Sequence, residues 1–124
     1  MSRINGKAKG ALGERQLATE MSSYTLPSGE PVVAHRGCQH AGGVDTPDVK
    51  HNVPGIHVEC KRCEKMPPSK ARSALLQAKR YAEGNLPVVV WRSNRTEWVC
   101  MLSFADFMKL LGCKKCDPEV EKNE

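Results

Sequence analysis

The chemistry in this chain concentrates in one stretch, Thr46-Pro47-Asp48 followed by Ile56-His57-Val58-Glu59-Cys60-Lys61. From Gly55 to Lys61 the residues alternate. Ile56, Val58 and Cys60 share one side, and His57, Glu59 and Lys61 share the other. Residues two apart on a strand project from the same face, so Glu59 and Lys61 emerge together, about 7 Å apart along the strand. Asn52, Pro54 and Gly55 supply a reversal before that strand, which would carry Asp48 toward Glu59. Converging carboxylates repel unless a cation lies between them, and hard oxygen donors suit magnesium or manganese. Lys61 beside them would orient a water or offset charge on a phosphate.

These residues need a scaffold, and the pattern predicts one. Residues 10–23 have helical spacing, with Gly10, Glu14, Leu17, Ala18 and Met21 on one stripe. Glu14 thus falls on the face to be buried and requires a partner, either an arginine or the cation of the site. Leu26-Pro27-Ser28-Gly29 is a turn, and Pro31–Cys38 a strand centred on Val32 and Val33. A polar loop with His35 and His40 follows; such histidines are more often hydrogen-bonded surface groups than metal ligands. A short strand carries Asp48 and Val49, and a second spans Gly55–Lys61. Ser69 is the expected N-cap of a helix over 70–83 with an apolar stripe of Ala71, Ala74, Leu75, Ala78 and Ala82, stopped by Gly84. Leu86–Arg92 is a nearly continuous apolar strand, as at a sheet centre. Thr96–Leu102 alternates with Trp98, Cys100 and Leu102 on one face. Ser103 with Asp106 resembles a capping box that opens a helix ending at Leu111-Gly112.

At 124 residues the chain is expected to form one domain over 1–124, with a basic mobile arm at 1–9 and a charged tail at 113–124. The net charge of +5 is compatible with a polyanionic partner. Its distribution says more, since Lys61–Arg80 holds seven basic residues and a single acid, Glu64. Six cysteines without a secretory signal point to reduced thiols in a cytoplasm. No apolar run approaches a membrane span.

Gly10-Ala11-Leu12-Gly13-Glu14-Arg15, Pro47-Asp48-Val49, Glu59-Cys60-Lys61 and Gln77-Ala78-Lys79-Arg80-Tyr81 stand in this order over about residues 7–111. Together they resemble the PD-(D/E)xK nucleases, and within them the small Holliday-junction resolvases of archaeal and phage type. The resemblance implies an α/β (α+β) restriction-endonuclease-like core, with a central mixed five-stranded sheet flanked by helices. It implies a magnesium- or manganese-dependent endonuclease cutting branched DNA, most often four-way junctions, as a cytoplasmic homodimer of bacterial, archaeal or phage origin. Glu14, Asp48, Glu59, Lys61 and Gln77 would be the catalytic set. The metal would be held by Asp48, Glu59 and the Cys60 carbonyl, with Glu14 acting through a water. Arg3, Lys7, Lys9, Arg15, Arg36, Arg62, Lys65, Lys79 and Arg80 would contact DNA.

Three other readings compete, the blandest being a structural DNA-binding protein with an inactive site, which the intact acid and lysine set disfavours. The same nuclease chemistry could serve nicks, flaps or duplex sites. Alternatively, Cys60-x-x-Cys63 and Cys113-x-x-Cys116 could build a zinc-binding, non-catalytic DNA-binding module. Against the latter, the two pairs lie far apart in sequence, and the alternation turns Cys60 away from Glu59.

Overall fold

The computed structural model describes residues 6–37 and 49–116. Its elements run α1 (Gly6–Met21), β1 (Ala34–Arg36), β2 (Val49–His51), β3 (Ile56–Arg62), α2 (Pro68–Tyr81), β4 (Leu86–Arg92), β5 (Val99–Met101) and α3 (Phe104–Leu110). The order of helices and strands is the expected one.

The sheet differs from expectation. The described strands form a three-stranded sheet, β3-β4-β5, and a separate two-stranded ribbon, β1-β2, rather than one five-stranded sheet. β3 and β4 are parallel, pairing Glu59 with Val89 and Lys61 with Trp91, whereas β5 runs antiparallel to β4. β2 pairs with β1, Arg36 opposite Val49. At the Val33 end of the ribbon the Asn52 side chain joins its two segments. Its Oδ1 accepts from Val33 N at 2.8 Å and its Nδ2 donates to Pro31 O at 3.1 Å. Asn52 N also donates to Val33 O at 3.3 Å, so backbone and side chain of one residue close that end together. Val33 is left exposed instead of central to a strand, while Val32 is buried. The reversal at Pro54-Gly55 exists, with Gly55 at φ +83°, but it leads from the ribbon into the sheet rather than closing a hairpin.

Helices cover both faces of β3-β4. On one face Leu17 and Ala18 of α1 pack with Val58, Cys60, Val88, Val90 and Val49. On the other, Ala74 and Ala78 of α2 pack with Val89, joined by Leu75 and Met101. Alanines let α2 approach the sheet closely. Each fully buried valine contributes roughly 1.5–3 kcal/mol, and Val49, Val58 and Val89 are the largest such side chains.

Several boundaries shift. α1 starts at Gly6 rather than Gly10, since lysine and alanine are good helix formers; the rest of the expected arm lies outside the described residues. α2 starts at Pro68 with Pro67 as N-cap, not at Ser69, because proline suits the first helical position, whose N–H has no acceptor. β5 covers three residues, and Cys100 is exposed rather than buried. Trp98, ahead of β5, still packs against the α1-side core. Ser103 caps α3 as expected, its hydroxyl accepting from Asp106 N at 3.1 Å.

Candidate functional site

β3 supplies the centre of the site. Its parallel register sets His57, Glu59 and Lys61 on the face that β4 shares through Pro87, Val89 and Trp91. This is the face covered by α2. The alternation therefore holds, but Glu59 does not point to solvent. Its residue is 5% exposed. Burying a carboxylate is costly without compensating charge. The Lys61 amine lies 3.9 Å from Glu59 Oε2, and His57 Nε2 lies 4.0 Å from Oε1. His57 is also buried. The sequence reading placed His57 on this face without giving it a role; the available signal was its position two residues before Glu59.

Glu14 is buried on α1, as its stripe implied, and Arg36 Nε donates to its Oε1 at 2.8 Å. The helix-borne carboxylate thus has the arginine partner that its burial demands. Arg36 is committed at least partly to this pair rather than to a phosphate. α1 covers the Val58–Cys60 face of the sheet, opposite to the face that bears Glu59. Gln77 is exposed on α2, whereas Tyr81, one turn later, is half-buried. Tyr81 lines a cleft of about 310 Å³ with His57, His51 and Lys50. Asp48 lies outside the described residues, as do Asp45, Cys38, His40, Arg3 and the side chains of Lys7 and Lys9.

His51 shows the cleft's electrostatics. Desolvation, followed by the charge of the neighbouring His57, lowers its pKa below the ordinary imidazole value, against a hydrogen bond with the Ile56 backbone. Its Nδ1 accepts from Val53 N at 3.0 Å, an arrangement that requires this nitrogen to be unprotonated.

The expected DNA-contacting residues separate into two groups. Arg15, Lys65, Lys79 and Arg80 are exposed. Arg62 is bound internally: Nη1 donates to Arg92 O at 3.1 Å, Nη2 to Asn94 Oδ1 at 2.7 Å and Nε to Gln16 Oε1 at 3.4 Å. It ties the end of β3 to α1 and to the β4–β5 turn.

The donor chemistry fits a hard divalent ion, since the acidic groups are carboxylates. Among the described residues, however, no group of three His, Cys, Asp or Glu side chains could hold a metal. The zinc module built from both cysteine pairs is disfavoured: Cys60 belongs to the α1-side core, and the Cys63 thiol donates to Lys65 O. No described helix is long and apolar enough to cross a membrane.

No protein-family model and no curated protein matches the chain. Among solved structures, it is similar to Hjc, a Holliday junction resolvase from the archaeal hyperthermophile Archaeoglobus fulgidus, with a TM-score of 0.49 and 18% identity over 72% of each chain.

Proposed function

We propose that this chain is a metal-dependent endodeoxyribonuclease acting on branched DNA, with four-way junctions as its preferred substrate and a homodimer as its working form. The observation that carries the reading is the buried Glu59 carboxylate with the Lys61 amine 3.9 Å away on the same strand face. Asp48 and Glu59, with the Cys60 carbonyl, would hold magnesium or manganese, while Glu14, on the α1 side and paired with Arg36, would stay outside that set. A divalent ion bound there supplies Lewis acidity toward a phosphate oxygen and lowers the pKa of a bound water.

The chain's own residues would do the rest. Lys61 holds its positive charge beside Glu59 and would orient the attacking water or offset charge gathering on the phosphorus oxygens. Water adds to phosphorus, one ester P–O bond breaks, and the departing oxygen takes a proton from solvent. Arg15, Lys65, Lys79 and Arg80 remain exposed for phosphate contacts. Gln77, exposed on α2, would support the substrate rather than the metal.

The test is cleavage of a synthetic four-way junction, with linear, nicked and flapped DNA as further substrates, each with and without magnesium. Asp48→Ala, Glu59→Ala and Lys61→Ala should each lose about 10²-fold or more in rate. Undiminished magnesium-dependent cleavage by all three would overturn the site. Equal cleavage of linear and branched DNA would keep the nuclease and remove the junction preference.

A further inference from the structure

The nuclease reading leaves the Cys113-x-x-Cys116 pair unused. α3 closes on it in a defined way. Gly112 N donates to Lys109 O at 2.9 Å and Cys113 N donates to Met108 O at 2.9 Å, with Gly112 at φ +80°. This is the paired-bond closure that a left-handed glycine allows, and it pins Cys113 to the end of the helix. Cys113 and Cys116 are both exposed free thiols. Two cysteines three apart can ligate one tetrahedral metal, but a structural zinc site takes four ligands. The described part of a single chain offers no such set. Cys60 is in the core, and the Cys63 thiol is hydrogen-bonded in its own loop. Among the described residues the pair is therefore half of a site.

The helix leading to it is also half of something. α3 buries none of its residues. Phe104, Phe107, Leu110 and Leu111 recur at helical spacing along one side and are all exposed. We propose that two copies of this chain share one zinc ion, bound by Cys113 and Cys116 of each, with their α3 stripes packed against one another. Four thiolates on a divalent ion leave a net charge of −2, and Lys114 and Lys115 of both copies place positive charge beside it. A seven-residue helix offers far less than the roughly 1,200–2,000 Å² that stable interfaces bury, so the metal is what holds the copies together.

The proposal shares only the dimer with the nuclease reading and needs none of its chemistry, and one set of measurements separates the two. Full-length protein without a metal-binding tag, purified under reducing conditions, is assayed for zinc and for mass by light scattering. The expected result is one zinc per two chains and a chelator that removes the zinc and halves the mass. The double variant Cys113→Ser/Cys116→Ser should lose both zinc and association while still melting cooperatively as a folded monomer. Titration of the apo protein with cobalt should give a thiolate charge-transfer band that saturates at half an equivalent. One metal per chain, or a mass indifferent to chelator, overturns the proposal. Glu59→Ala should abolish cleavage yet keep the zinc, so failure of either reading is visible without the other.

Discussion

Glu59 owes its surroundings to residues two positions away on either side. His57 and Lys61 face it because a strand repeats every two residues, so the cluster was legible from Gly55–Lys61 alone. Its burial was not legible, because that depends on α2, whose alanines bring the helix down onto the same face. Arg62 marks a similar limit. It reads as one more cation in a basic run, yet its partners come from positions 16, 92 and 94, which nothing local connects. At this scale His51 gives a pH prediction. Its pKa is lowered in the folded chain, so the unfolded chain binds the proton more readily. The contribution to stability is therefore full above the unfolded imidazole value of about 6.5 and is lost as pH falls toward the folded value. Thermal melts between pH 5 and 8 should show the loss on the acid side. His51→Asn, which keeps an acceptor for Val53 N, should flatten that slope; an unchanged slope would assign it to another group.

The two glycines on the exposed and buried sides of α1 make a contrast at the level of the element. A Cβ at Gly10 would meet nothing within 4 Å, whereas one at Gly13 would lie 2.8 Å from Arg62 Cβ and 3.1 Å from its Cγ. Both helix positions would gain about 1 kcal/mol of propensity on going to alanine. Gly10→Ala should therefore raise the melting temperature. Gly13→Ala should lower it, because overpacking costs roughly 1–3 kcal/mol and Arg62 is held by its three hydrogen bonds. Equal effects of the two substitutions would mean that α1 moves freely over β3. Element types and order were readable because the helix stripes and the Leu86–Arg92 strand have strong periodicity. The pairing of strands was less so. A short polar segment such as Val49–His51 carries no periodic signal for its neighbour, and its pairing with Ala34–Arg36 depends on residues distant in sequence. Cys100 shares its expected face with Trp98 yet is exposed, because alternation fixes the face of a residue, not whether a helix reaches far enough to cover it.

Over the whole molecule, Arg15, Lys65, Lys79 and Arg80, the exposed residues proposed to meet phosphates, sit on α1, α2 and the loop between β3 and α2. Binding to a polyanion should consequently weaken steeply with salt. Each phosphate contact contributes about 0.7–0.9 to the slope of log affinity against log salt. Lys79→Ala/Arg80→Ala should make that slope shallower by one to two contacts, and an unaltered slope would move the DNA elsewhere on the surface. The bulk charge was legible from composition, but its distribution over separate elements required the fold.

One feature of the central strand limits what can approach its far side. Leu86 N donates to Gly55 O at 2.8 Å, so along β4 the next N–H would face away from β3. That residue is Pro87, which has none. β5 reaches only Val89–Trp91, and Leu86 and Pro87 line a groove of about 800 Å³ between the sheet, α2 and α3. The proline is tolerated in the strand because no ladder runs there. It also denies an incoming extended peptide its first backbone acceptor contact, so the open stretch of β4 is guarded against strand addition and the sheet against fibrous growth at that edge. Whatever occupies the groove finds no backbone donor at Pro87 and meets the side chains of Arg72, Lys79, Ser103 and Asp106 instead.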